Sequence, residues 1–165
     1  MQIKNYKKLF FLALFLNILS STIINSTLKK TEIFSELHKR GISLSDNQII
    51  VMAVVGTLVT MFTFLIILVI SRFLLVLVFK VLYKGSQNKD FLNEIYFSSI
   101  GLKLMISTLA IVTLISGTQL GLILTNIITI GLYVLYIFMN RSNQEKSKKD
   151  IIVQLVIGCL LILFI

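Results

Sequence analysis

Few residues in this 165-residue chain are of types that do chemistry: one histidine, one cysteine and seven acidic side chains. His38 has no further ligand at metal-binding spacing and reads as a polar residue at an interface. Cys159, alone, excludes an internal disulfide, and its apolar setting makes it a small packing residue. Ser98, Ser99, Ser107 and Ser116 have no partner base. The acidic residues fall in polar segments, not in the apolar runs, so neither a carboxylate dyad nor a proton relay can be assembled. No catalytic residue, metal or cofactor is expected, and the chain reads as no enzyme.

The polarity inside the apolar runs is uncharged: Asn17, then Thr57, Thr60 and Thr63, then Thr125, Asn126 and Thr129, and finally Gln154. In hydrocarbon such groups hydrogen-bond across helices, and Asn126 with Gln154 is the expected pair. The sharper alternative is a substrate or ion path, a small oligomeric transporter or channel around Asn126, Thr129 and Gln154. Carriers usually break their helices near midplane. This chain has no proline, so packing is the preferred reading.

The elements that carry these residues follow from composition. The chain is 56% hydrophobic and 14% charged, with mean hydropathy +0.94, and its apolar residues come in long blocks. A hydrocarbon core of about 30 Å takes about 20 helical residues, and only helices satisfy their own backbone there. The expected fold is all-α, a single polytopic helical membrane domain with spans at about 9–24, 48–71, 97–116, 120–139 and 151–165. The block from Leu9 to Ile24 follows three lysines and has signal-peptide character. It lacks a convincing small-x-small cleavage site, so an uncleaved first span is preferred.

Residues 25–47 read as an external loop. Within it Leu28, Ile33, Phe34 and Leu37 share a helical face, which predicts a short helix on the membrane surface stopped at Gly41. Ser45 and Gln48 have capping-box spacing, so the next helix is expected to start near Asp46; Ser147 and Asp150 open the last helix in the same way. From Gln48 to Tyr83 only Arg72 and Lys80 interrupt the apolar run, which at about 1.5 Å per residue outruns a bilayer. Residues 72–84 then either project into the cytosol or lie along the headgroups, with Leu74, Val78, Val81 and Leu82 as the apolar face.

Folding the chain about Gln87 sets Lys84 opposite Asp90 and Lys80 opposite Glu94. This predicts a cytoplasmic helical hairpin over 72–103, whose exposed pairs would each contribute under about 1 kcal/mol. Lys103 either snorkels or marks the inner edge of the third span. Arg72, Lys80, Lys84 and Lys103 are the expected surface for a partner or for lipid headgroups. Gly117 and Gly121 form an uncharged external turn and carry only a weak GxxxG dimerisation signal.

The net charge of +9 sits in short segments between apolar blocks, without the basic domain of a nucleic-acid binder. The basic segments fall on one side if there are five crossings, which puts the N-terminus inside and the C-terminus outside. The Lys, Ile and Asn richness suggests an AT-rich bacterium, where small basic multi-span proteins include bacteriocin-immunity proteins, and the bacterial cytoplasmic membrane is the expected location.

The stretches YKGSQNKDFLNEIYFSSIGLKL (Tyr83 to Leu104) and IGLYVLYIFMNRSNQEKSKKDIIVQLVIG (Ile130 to Gly158) supply a Gly-Ser turn into an aromatic helix, then a fourth span, basic loop and final span. In this order of parts the chain resembles the Yip (Ypt-interacting protein) domain family of five-span membrane proteins, over nearly its whole length. The resemblance implies a non-catalytic scaffold or accessory role: eukaryotic relatives act in membrane trafficking, and some bacterial ones associate with transporters. Only Gly85 and Ser86 match the family turn, and no site residues carry over. The expected partners are the bilayer and another membrane protein or an ATPase subunit, with a homo-oligomer left open.

Overall fold

The computed structural model describes residues 3–41, 45–83, 89–115, 117, 120–141 and 147–165. They form five helices: α1 (Ile3–Lys39), α2 (Asp46–Leu82), α3 (Lys89–Ile115), α4 (Leu122–Arg141) and α5 (Lys148–Phe164). Four helices are long and apolar enough to cross a membrane, over Tyr6–Ile24, Val54–Leu82, Lys89–Leu114 and Leu122–Asn140. At 17 residues α5 is about 26 Å long, short of a hydrocarbon core of about 30 Å.

The helix ends follow local chemistry. The Ser45 N–H donates to Gln48 Oε1 at 3.0 Å, and α2 begins at Asp46 as that spacing predicts. The Asp150 N–H donates to Ser147 Oγ at 3.2 Å, which starts α5 at Lys148. Gly41 and Gly117 stop α1 and α3 with φ of 72° and 76°, a conformation that costs glycine nothing.

One expectation is overturned between Asn25 and Lys39. The separate surface helix does not exist; α1 runs on without a break for 37 residues, about 55 Å. The reason is that no Gly or Pro lies between Ile3 and Arg40, so nothing there forces the backbone out of the helix.

α3 is the central element and touches each of the other four helices. It runs parallel to α1, with the Phe10 backbone 3.8 Å from the place a Gly101 side chain would start. About two turns further along, Asn17 Nδ2 donates to Thr108 Oγ1 at 3.2 Å. Against α2, which runs antiparallel, the contact stripe is Leu68, Ser71, Leu75 and Phe79, all buried at helical i, i+3, i+4 spacing. Leu74, Val78, Val81 and Leu82, the apolar face read from the sequence, lie outside this stripe and are exposed. Phe79, Tyr83 and Phe91 pack ring on ring where the two arms meet.

A second, smaller cluster joins α4 and α5 through Tyr133, Ile137 and Ile162. Around both clusters the outer faces are bare hydrocarbon; Phe62, Val69, Leu122, Ile123 and Met139 are all more than three-fifths exposed. Apolar cover on every side matches a hydrocarbon surrounding and not water.

Candidate functional site

Three of the polar places in the bundle hold a charged side chain against α3. The first is a buried carboxylate. Glu94 is 6% exposed; its Oε1 accepts from Asn140 Nδ2 at 3.4 Å and from the Tyr136 hydroxyl at 3.5 Å. Asn140 Nδ2 also lies 3.4 Å from the Tyr6 hydroxyl, so α1, α3 and α4 are tied at one level. One turn on, the Ser98 hydroxyl donates back to the Glu94 carbonyl at 2.6 Å.

The second place is deeper. Lys103 is 4% exposed, and its Nζ donates to Asn126 Oδ1 on α4. It stands 14 residues from the start of α3 and 12 from its end, about 21 and 18 Å along the axis, farther than its own side chain reaches. Lys103 therefore turns inward to α4 and does not snorkel along its own helix, and its burial removes it from the predicted partner surface. At the same depth Thr129 is fully buried, its hydroxyl donating to the Thr125 carbonyl at 2.7 Å.

Arg72 marks the third place. Its guanidinium lies over Tyr96 at 4.8 Å and Phe97 at 5.4 Å, with Nη2 donating to Asn93 Oδ1. It is half-buried, packed against α3 and not projecting from it. The Tyr96 hydroxyl donates to the Leu68 carbonyl at 2.7 Å, which locks the same two helices.

Of the ion pairs foreseen for the 72–103 hairpin, only Lys80 with Glu94 falls on described residues, and it does not form. Lys84 lies outside the described residues, while Asp90 is exposed. Lys80 is exposed and has no ion pair among the described residues, because Glu94 faces α4 and not α2. The arms are held by aromatic rings and by Arg72 with Asn93. The pairing of Asn126 with Gln154 is likewise corrected. Gln154 lies opposite Tyr133, whose hydroxyl donates to the Gln154 carbonyl at 3.2 Å. Asn126 lies seven residues, about 10 Å, away along α4.

Sequence reasoning missed Glu94, Lys103 and Tyr133 as interior residues. The available signal was the helical spacing of polar residues: Glu94, Ser98, Ser99 and Lys103 on α3, and Asn126, Thr129, Tyr133, Tyr136 and Asn140 on α4.

At one end of the bundle α2 and α5 are clasped. The Tyr83 hydroxyl donates to Asp150 Oδ1 at 2.7 Å, Ser147 Oγ donates to Asp150 Oδ2 at 2.8 Å, and Lys149 Nζ sits 4.9 Å over the Tyr83 ring. The Tyr83 bond, with help from Ser147 and Lys149, holds the Asp150 carboxyl below its ordinary value of 3.8 despite some burial. A carboxylate lowered on folding stabilises the fold above its unfolded value and gives that up as pH falls through the folded one. Asp150→Asn is therefore expected to lower the thermal midpoint at pH 7, with the gap closing below about pH 3.8. Tyr83→Phe should cost about 1 kcal/mol or less, since water reaches the clasp. Thermal melts of the three proteins from pH 7 downward check this; a gap independent of pH would contradict it.

Lys7, Lys8, Lys80, Lys89, Lys148 and Lys149 are all exposed, and all lie at this clasped end. No family model, curated protein or solved structure matches the chain, so these geometries are the ground for any functional reading.

Proposed function

We propose that the chain is a non-enzymatic integral membrane accessory or scaffold protein of five spans, with its clasped, lysine-rich end in the cytosol. The carrying observation is where polarity is spent. Thr129 and Gln154, which an oligomeric pore would need on its wall, are at most 1% exposed inside a single chain. Asn126 is engaged by Lys103. Exposed lysines instead form one rim, Lys80, Lys89, Lys148 and Lys149 beside Asp150, at the end opposite Glu36, Lys39 and Arg40, where a cytosolic partner would reach them. The resemblance to the Yip domain family points the same way, toward docking without catalysis. A transporter partner or protection against a membrane-active peptide both fit such a rim.

Photo-crosslinking side chains at Lys80 and Lys149 in the native membrane test the reading. A discrete protein adduct from the rim, none from the lipid-facing Val59, and no ion flux from liposomes holding the purified chain are the expected results. Flux through those liposomes without a rim adduct would replace the scaffold reading with the channel one.

A further inference from the structure

Arg72 leaves something unspent. Asn93 takes its Nη2, but Nη1 is buried with no hydrogen-bond partner among the described residues. Arg72 lines a crevice of about 700 Å³ on the outside of the bundle between α1 and α2, walled by Phe10, Leu14, Leu65, Val69 and Tyr96. Phe11, Val69 and Phe73 on its rim are about three-fifths exposed or more, so it opens sideways into the surrounding medium. A second cation is close by: Lys7 stands one turn before Phe10 and Phe11 of the crevice wall, its Nζ 5.8 Å from the Phe97 ring that Arg72 also covers. From Arg72 the apolar wall continues seven residues along α2 to Leu65, about 10 Å. Two cations near a lysine-rich end, without an acidic partner in these contacts, adjoin an apolar trough. The chemistry that complements both is a phosphate ester carrying hydrocarbon.

We propose that this crevice binds one anionic phospholipid, its phosphate between Arg72 and Lys7 and an acyl chain along Phe10, Leu14, Leu65 and Val69. The site rests on the membrane reading of the chain and not on its scaffold role, so loss of the rim adduct would leave it standing.

The test is native mass spectrometry of the full chain in mild detergent, titrated with phosphatidylglycerol, phosphatidylcholine and inorganic phosphate. The wild type should retain one phosphatidylglycerol in preference to phosphatidylcholine. Arg72→Gln should weaken that lipid about fivefold or more and leave phosphatidylcholine unchanged. Val69→Trp keeps both cations and fills the trough, so it should weaken both lipids; it decides the matter if Arg72→Gln does not fold. Equal retention of the two lipids by the wild type overturns the proposal, as does unaltered phosphatidylglycerol binding in Val69→Trp. Displacement of the lipid by millimolar inorganic phosphate overturns it too, since the site would then read phosphate without the chain.

Discussion

Gly158→Ala should destabilise this protein, although alanine is the better helix former. The Tyr133 ring, fully buried, lies directly on α5 at Gly158, and a Cβ there would meet its Cε1, Cζ and hydroxyl oxygen at less than 3.0 Å. The glycine also leaves the Gln154 carbonyl open. That carbonyl takes the Gly158 N–H within the helix and the Tyr133 hydroxyl across it. Alanine gains about 1 kcal/mol of helix propensity, but driving a rigid buried ring aside costs about 3 kcal/mol. The net loss is about 2 kcal/mol.

Removing the ring should reverse the sign. In a Tyr133→Leu background, Gly158→Ala is expected to stabilise by up to about 1 kcal/mol. Gly101→Ala serves as the control. Gly101 is also buried, but its Cβ would sit 3.8 Å from Phe10, an ordinary contact. Equilibrium unfolding of the full chain in detergent micelles reads all four variants. Equal effects of Gly158→Ala in both backgrounds would show that the ring does not set the fit.

What could be read from the sequence was local. Ser45, Ser147, Gly41 and Gly117 announced helix ends because a cap or a left-handed stop is chemistry within a few residues. Facing was not legible in α2, because Leu74 and Val78 on one side match Leu75 and Phe79 on the other in hydrophobicity. An all-apolar helix has no pattern to read. Burial was misjudged in α3 for a related reason. Charge alone put Glu94 and Lys103 on the surface of the hairpin, whereas the bundle buries both. The partners that make this tolerable, Asn140 and Asn126, sit 46 and 23 residues away, and no local spacing points to them.

Those partners carry the second large effect. Asn126→Leu should cost about 3 kcal/mol, because it removes a hydrogen bond to a charged group and strands an ammonium that cannot reach either end of α3. The loss belongs to the stranded charge and not to the missing amide. Lys103→Met, which keeps the stem and removes the charge, should therefore change stability by less than about 1 kcal/mol. In the double variant Asn126→Leu/Lys103→Met, most of the single variant's loss should return, a coupling of about 2 kcal/mol. Glu94 does not supply the missing counter-charge, since it lies nine residues back along α3, about 13 Å, in its own contacts with Tyr136 and Asn140. Unfolding of the four proteins under one detergent condition measures the cycle. If Asn126→Leu and the double variant lose the same amount, the amide matters for packing alone. If the double variant recovers, the bundle is holding a charge at its centre through a single neutral neighbour, and Asn126 is the residue that permits it.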